Sequence, residues 1–290
     1  MNNPLFRPPA EADSLILQID EGCPYNRCTF CGMYRGLKYR QRPLSEITRL
    51  VTHEARHAPD TRRIFLADGD ALRRPFPELH DILTLLATRF PALARVNTYA
   101  TGNAILSKTP KQLKALRALK LHILYMGLES GDDETLRLVN KAESAAMMIE
   151  AGRRAQAAGL RLSVMILLGL GGSARTHEHA LATADALNKM QPRLLSALRI
   201  IPVPGTEFHD NVTSGRFQQL TEAGAVRELR RIVEHLELEN TVFRANHTSN
   251  VIPLEARFPR DKGMLLHHLD TLLASNRLDA RTPGPQPQWL

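Results

Sequence analysis

Six apolar runs recur along residues 15–202, with helix-patterned segments between them, and this rhythm limits the fold more than any other feature of the chain. LILQIDE (15–21), RRIFLAD (62–68), ARVNTYAT (94–101), HILYMGLES (122–130), LRLSVMILLG (160–169) and LLSALRIIP (194–202) read as strands. Helices are predicted over 44–56, 77–89, 110–119, one or two more up to 158, and 174–190. Pro110 suits a first helical turn, and Gly159 suits a helix C-terminus. Strands so nearly continuous in apolar residues belong to a parallel sheet covered on both faces. Six such units place the chain in the α/β class, as a doubly wound sheet or an incomplete relative of the eight-stranded α/β barrel. Beyond Pro204 the rhythm changes to a helix over 222–239, an irregular stretch over 241–259 and a helix over 262–274. The tail RTPGPQPQWL, which holds the only tryptophan, Trp289, is expected to be disordered because proline suits neither helix nor ladder.

In parallel α/β folds chemistry collects at the C-terminal ends of the strands, where the loops surround one crevice. Here those positions hold a cysteine loop after the first strand, Asp68-Gly69-Asp70 after the second and Asn97-Thr98-Tyr99 after the third. The fourth ends in Gly127-Leu128-Glu129-Ser130-Gly131, the fifth in Gly169-Leu170-Gly171-Gly172, the sixth in Pro202-Val203-Pro204-Gly205-Thr206. Singly each reads as a turn; jointly they bring acids and glycines to the same rim as the thiols.

The loop EGCPYNRCTFC (21–31) contains Cys23, Cys28 and Cys31, all the cysteines of the 290-residue chain. Three thiols cannot all pair, and no disulfide framework of a small secreted domain fits this length, so a reducing, cytoplasmic setting is expected. No apolar run reaches the roughly 18 residues of a membrane span, and MNNPLFRPPA lacks a signal-peptide layout. Structural zinc usually takes four protein ligands. A four-iron cluster on three thiolates instead keeps one iron open, which is useful when something else must bind it. Buried structural thiols would scatter through the core rather than gather beside Pro24, Tyr25, Asn26 and Arg27.

With these motifs assembled, the chain resembles the radical S-adenosylmethionine (radical SAM) superfamily. Within it, the strand-four signature resembles that of the oxygen-independent coproporphyrinogen oxidase-like and Elp3-like branch. Phe30 before the third cysteine, LADGDA (66–71), MGLESGDDETLRLVNK (126–141), MILLGLGG (165–172) and RIIPVPGT (199–206) carry the resemblance in order over residues 14–206. It implies a partial (β/α)6 TIM-like barrel over 14–206 with a small, mainly helical C-terminal extension over 207–279 covering the barrel mouth, and a tail over 280–290. It further implies that Cys23, Cys28 and Cys31 are catalytic metal ligands of a [4Fe–4S] cluster whose open iron binds SAM. Reductive cleavage of SAM, usually to a 5′-deoxyadenosyl radical, then starts chemistry on a substrate. Cofactor contacts carry over to Phe30, Gly69, Asp70, Glu129, Ser130, Arg137, Gly169, Gly171 and Pro204, with either Arg137 or Lys141 near Glu129. The first cysteine gap departs from the usual CX3CX2C, being CX4CX2C. Porphyrin chemistry does not carry over, because the likeness to the oxidase ends after the sixth strand. With no further cysteine, a second cluster is not expected.

Net charge +8 and pI 9.7 favour acidic partners: an anionic small-molecule substrate, an acidic flavodoxin or ferredoxin-type reductant, or nucleic acid, the weakest of the three. Arg35, Lys38, Arg40 and Arg42 are either such a contact or a solvated face. RANHTSN (244–250) is dense in hydrogen-bonding side chains, and His247 is a candidate catalytic residue there; the plain alternative is a loop of satisfied turn residues. His53, Glu54 and His57 match HExxH, but no third ligand is evident and the helix has a solvated face. Tyr99 and Tyr125 read as packing residues. The rival reading is a regulatory or nucleic-acid-binding protein whose thiols hold zinc or a redox-sensing cluster without SAM cleavage.

Overall fold

The computed structural model describes residues 5–275 and 277–279; the tail over 280–290 and Trp289 lie outside the described residues. The six expected strands form as β1 (Leu15–Gln18), β2 (Arg63–Ala67), β3 (Arg95–Tyr99), β4 (Leu121–Glu129), β5 (Arg161–Leu168) and β6 (Leu194–Arg199). Two further strands, β7 (Thr241–Arg244) and β8 (Glu255–Phe258), extend the sheet, whose order is β1 to β8 in sequence. The connections are α1 (Leu44–His57), α2 (Phe76–Arg89), α3 (Gly102–Leu106), α4 (Pro110–Ala118), α5 (Asp133–Leu138), α6 (Ala145–Ala157) and α7 (Gly172–Met190). Beyond β6 come α8 (Glu207–Thr213), α9 (Glu222–His235) and α10 (Lys262–Ala274). This is the expected α/β architecture of a partial TIM-like barrel. Among the described residues no helix is long and apolar enough to cross a membrane.

The chain falls into two compact units. The first comprises Met1–Asn26, Met33–Met126 and Glu150–Leu162. In it β1, β2, β3 and β4 pair in parallel, with Leu17 opposite Leu66, and Leu66 opposite Thr98. Leu17, Ile64, Leu66 and Val96 are fully or almost fully buried, as strands covered by α1, α2 and α4 must be. Phe65, Tyr99 and Tyr125 meet edge to face with ring centroids 5.1 to 6.3 Å apart, so both tyrosines are packing residues. The Tyr125 hydroxyl and the Asn97 amide donate to Glu11, which also accepts from Ser14, so this buried carboxylate is fully used.

The second unit comprises Arg27–Gly32, Gly127–Ile149 and Ser163–Leu290. β5, β6 and β7 pair in parallel there, with Leu195 opposite Val164 and Phe243, and β8 runs antiparallel to β7. The stretch over 241–259, expected to be irregular, therefore contains a hairpin. TVFR and EARF alternate buried and exposed residues, but four residues are too few for a period to be decisive. It is the β6 edge that turns TVFR into a strand.

One side chain gathers the approach to the cysteine loop in the first unit. Arg74, 2% exposed, donates to Asp20 (2.8 Å), the Ile19 carbonyl (2.8 Å), the Arg42 carbonyl (2.7 Å) and Glu78 (2.9 Å). It thus ties the end of β1, the segment before α1 and the first turn of α2. Removing one member of a buried pair leaves the other uncompensated. Replacing Arg74 with leucine is expected to lower unfolding stability by about 3 to 5 kcal/mol in a urea titration.

Candidate active site

In the first unit the site starts where β1 and β2 end. Asp68 follows β2 with φ +76°, a left-handed conformation that aspartate tolerates better than most residues. Its Oδ2 accepts from Gln18 Nε2 (2.8 Å) and from the Gly22 amide (3.0 Å), while Gly69 N donates back to the Gly22 carbonyl (3.1 Å). These bonds lay the start of the cysteine loop against the end of β2. Gly69 is required there: a Cβ would stand 2.6 Å from Cys23 Cβ and 2.8 Å from Cys23 Cα. Asp68 Oδ1 is buried and has no hydrogen-bond partner among the described residues. Burial holds its carboxyl above the usual range, opposed by the Gln18 and Gly22 donors.

Asp70 accepts at both oxygens from Thr101, from the hydroxyl at 2.6 Å and the amide at 3.3 Å. Its position one residue past Gly69 turns it towards the N-cap of α3, and the open acceptor of the pair is on Asp68. Of the basic run, Arg40 is forked onto Glu21 and Glu46, and Arg42 reaches Glu21, Glu46 and Gln18. These two cations are neutralised locally; Lys38 is exposed. His53 and His57 stack at 4.2 Å on the exposed side of α1, with His57 Nδ1 at the His53 carbonyl.

In the second unit the rest of the cysteine loop is anchored by backbone. Thr29 N donates to Val139 O (3.0 Å), Phe208 N donates to Thr29 O (3.1 Å), and Asn140 Nδ2 donates to the Arg27 carbonyl (3.0 Å). Cys31 N donates to Cys28 O (3.2 Å), closing the turn between the second and third thiols. Phe30 packs against the apolar cluster of Val139, Leu170, Ile200 and Phe208. Pro204 is exposed on the turn that Thr206 closes by donating to the Val203 carbonyl (2.7 Å). None of the three thiols forms a disulfide.

Glu129 ends β4 with φ +61°. Lys141 donates to Glu129 Oε1 (3.3 Å) and to the Gly127 carbonyl (2.8 Å). Burial opposes the lysine's charge, but Glu129, Cys28 and Glu143 outweigh it and hold the ammonium pKa above its usual value. Arg137, the other cation of that motif, points to the surface, its side chain 70% exposed and forked onto Glu134 at 2.6 and 2.8 Å. Its spacing of three residues on the short helix α5 makes Glu134 the nearer partner.

The loop after Glu129 is bolted to α7. Ser130 Oγ lies 2.7 Å from His179 Nδ1, Gly131 N donates to Thr183 Oγ1 (2.9 Å), and Arg175 forks onto Asp132 at 2.8 and 3.0 Å. At Gly169, which has φ +82°, the amide donates to Glu228 of α9 (2.6 Å). The Gly171 amide region is crowded by Arg175, whose carbonyl would lie 3.1 Å from a Cβ. His179, Thr183, Arg175 and Glu228 belong to none of the sequence motifs. A carboxylate on the otherwise apolar stripe Ala225, Val226, Leu229, Ile232 and Val233 was the available signal for Glu228. His247 accepts at Nδ1 from the Ser249 amide (3.1 Å), with Ser249 Oγ also at 2.8 Å, and burial lowers its pKa. Asn250 Nδ2 donates to the Ala197 carbonyl (2.8 Å).

Each unit taken by itself carries groups that suit a thiolate-held iron–sulfur cluster and its cosubstrate: in the first, Cys23 beside a glycine that lets the β2 turn approach it and a buried Asp68 oxygen without a donor; in the second, Cys28 and Cys31 on a turn anchored by backbone. Gly69→Ala is expected to reduce the iron bound after anaerobic reconstitution at least about twofold with an unchanged far-ultraviolet circular dichroism spectrum. Gly263→Ala, where a Cβ meets no atom within 4 Å, is the control. The Asp132–Arg175 pair gives a pH test. Burial works to raise the Asp132 pKa, but Arg175 and Thr135 outweigh it and bring it from 3.8 down to about 2. A depressed carboxyl stabilises fully above its unfolded value and loses that contribution as pH falls through the folded one. Arg175→Ala is therefore expected to lose on the order of 2 kcal/mol at pH 7. That difference should shrink between about pH 4 and pH 2 in urea titrations.

Comparison with known proteins bears on this arrangement. A search of curated proteins finds no match. Among solved structures, the chain superposes on coproporphyrinogen III oxidase (HemN) from Escherichia coli with TM-score 0.58 and 16% identity, covering 76% of this chain and 51% of that one. For methylornithine synthase (PylB) the values are 0.54, 15%, 89% and 81%. For the radical SAM methyltransferase TsrM from Kitasatospora setae, with cobalamin and a [4Fe–4S] cluster bound, they are 0.57, 16%, 70% and 39%. The chain spans about a third of the cobalamin-dependent enzyme OxsB, at 30% of its length. These likenesses establish the fold. The family model described as "Radical SAM superfamily" matches residues 17–190, more than half of the chain, so this protein is a member of the radical SAM superfamily of enzymes, with a [4Fe–4S] cluster and S-adenosylmethionine as its cofactors.

Proposed function

We propose that the protein cleaves SAM reductively on a cluster held by Cys23, Cys28 and Cys31 and so starts radical chemistry on a small-molecule substrate. The observation that carries this reading is the confinement of all three thiols to the one turn after β1. When bound, the cluster offers an open iron to SAM and supplies the electron for cleavage, usually to methionine and a 5′-deoxyadenosyl radical.

The protein's own groups bind and orient. The Asp68–Gly69 turn is the candidate cradle for the SAM amino group, with Asp68 Oδ1 as its acceptor. Glu129, held in place by Lys141, is a second polar contact; the 169–172 turn is the candidate segment beside the adenine, and Pro204 is a further candidate cofactor contact on the turn after β6. Residues 207–279 are assigned to covering the mouth, which would exclude water and oxygen from the radical. An external low-potential donor of the flavodoxin or ferredoxin kind must supply the electron, and the reading places the protein in a reducing, cytoplasmic setting.

Anaerobic reconstitution with iron and sulfide is expected to give a brown protein with about four irons per chain. Dithionite plus SAM should then yield 5′-deoxyadenosine, and Cys→Ala at 23, 28 or 31 should abolish both colour and cleavage. A colourless protein with a single zinc and no cleavage would establish the regulatory alternative instead. On the substrate side, His247→Ala is expected to impair turnover with the cluster's absorption intact. Unchanged turnover would leave His247 as a loop residue satisfied by Ser249.

A further inference from the structure

α9 lies beyond residues 17–190, the segment that the family model matches, yet one of its side chains reaches into the core of the site's support. Glu228 is fully buried. One carboxylate oxygen accepts from the Gly169 amide (2.6 Å) and the other from the Thr176 hydroxyl (2.6 Å). The first oxygen also lies 3.6 Å from Nε2 of His179, which is fully buried too. On its other side His179 meets Ser130, the residue next to Glu129. His179 Nε2 makes no hydrogen bond among the described residues, so it meets Glu228 as a polar neighbour, and a row of polar groups runs from the turn after β5, through α9 and α7, to the end of β4, all within the second unit.

We infer that Glu228 is a positioning residue for the SAM-binding strand ends: it fixes the 169–172 turn directly and the Glu129–Ser130 end through His179. This rests on the proposed SAM chemistry and adds to it a determinant outside the family's common core. The physical argument is one of satisfaction. Gly169 has left the β5 ladder with φ +82°, so its buried amide needs an acceptor from elsewhere. Among the described residues the Glu228 side chain of α9 supplies one, and Thr176 orients it. An apolar residue at 228 would strand that amide, and the turn would rearrange to reach water. Burial also drives His179 down to about 4 and Glu228 up to about 7, so both trends oppose charge in this space. At 3.6 Å the two are neighbours in a polar chain rather than a tight ion pair.

The test uses the cluster-loaded enzyme with SAM itself as the probe. Glu228→Leu should keep its iron content but weaken SAM binding by calorimetry about tenfold. KM for SAM should rise in step, with kcat at saturating SAM held within about twofold; a merely structural defect would lower the active fraction, and hence kcat, instead. Glu228→Gln, which retains an acceptor for Gly169, should recover most of the affinity. In the protein without cofactors, amide exchange in the 166–172 segment should accelerate in the leucine variant. Unchanged SAM affinity in a folded Glu228→Leu protein overturns the inference while leaving SAM chemistry standing. If the leucine variant does not fold, Thr176→Val carries the test, with about a threefold loss of affinity expected and no loss overturning it. Wild-type protein that builds a cluster yet neither binds nor cleaves SAM overturns the proposed function itself.

Discussion

Each parallel strand stops being paired where its following turn begins, and the amides released there must find acceptors out of water's reach. In this protein side chains and neighbouring turns provide them. Gly22 N goes to Asp68, Gly69 N to the Gly22 carbonyl, Gly131 N to Thr183 and Gly169 N to Glu228. Each of these bonds fixes a turn that carries candidate cofactor residues. The same requirement that keeps the backbone satisfied therefore gives the site its rigidity, and a polar residue in an otherwise apolar helix stripe becomes part of the site's support.

Strain accompanies that rigidity. Asp68 and Glu129, each the acid at the end of its strand, both adopt left-handed backbone conformations, at φ +76° and +61°. Such conformations cost non-glycine residues free energy and persist where the surroundings over-determine them. Around Asp68 the determinants are Gln18 and Gly22; around Glu129 they are Lys141 and the α7 contacts of the next three residues. Gly127 shows how tight the second turn is, since a Cβ there would overlap the Glu129 carboxylate at 1.9 Å.

Much of this was legible in the chain. Six apolar runs at β/α spacing are long enough for their periods to be unambiguous, and all six became strands within a few residues of the expected ends. β7 and β8 were not legible, because four-residue strands carry too little pattern and exist by pairing with β6 and with one another. The cysteine loop, the Asp68–Gly69 turn and the Glu129 motif announced themselves as compact polar stretches. Which acid keeps an open oxygen did not: Asp68 and Asp70 are two residues apart, and Thr101, distant in sequence, engages Asp70. Likewise Lys141 rather than Arg137 meets Glu129, because Arg137 has a partner one helical turn away.

By itself, then, the sequence determined the alternation of strands and helices, the placing of glycines and acids at strand ends, and the gathering of three thiols in one loop. These are local properties, set by apolar period and by residues a few positions apart. Only the tertiary structure decided which of those polar groups are consumed by the protein and which are left to bind. That choice depends on partners 40 or more positions away, such as Glu228 for Gly169, His179 for Ser130 and Arg175 for Asp132. A buried hydrogen bond depends on distance in space, and the spacing of residues along the chain does not encode it.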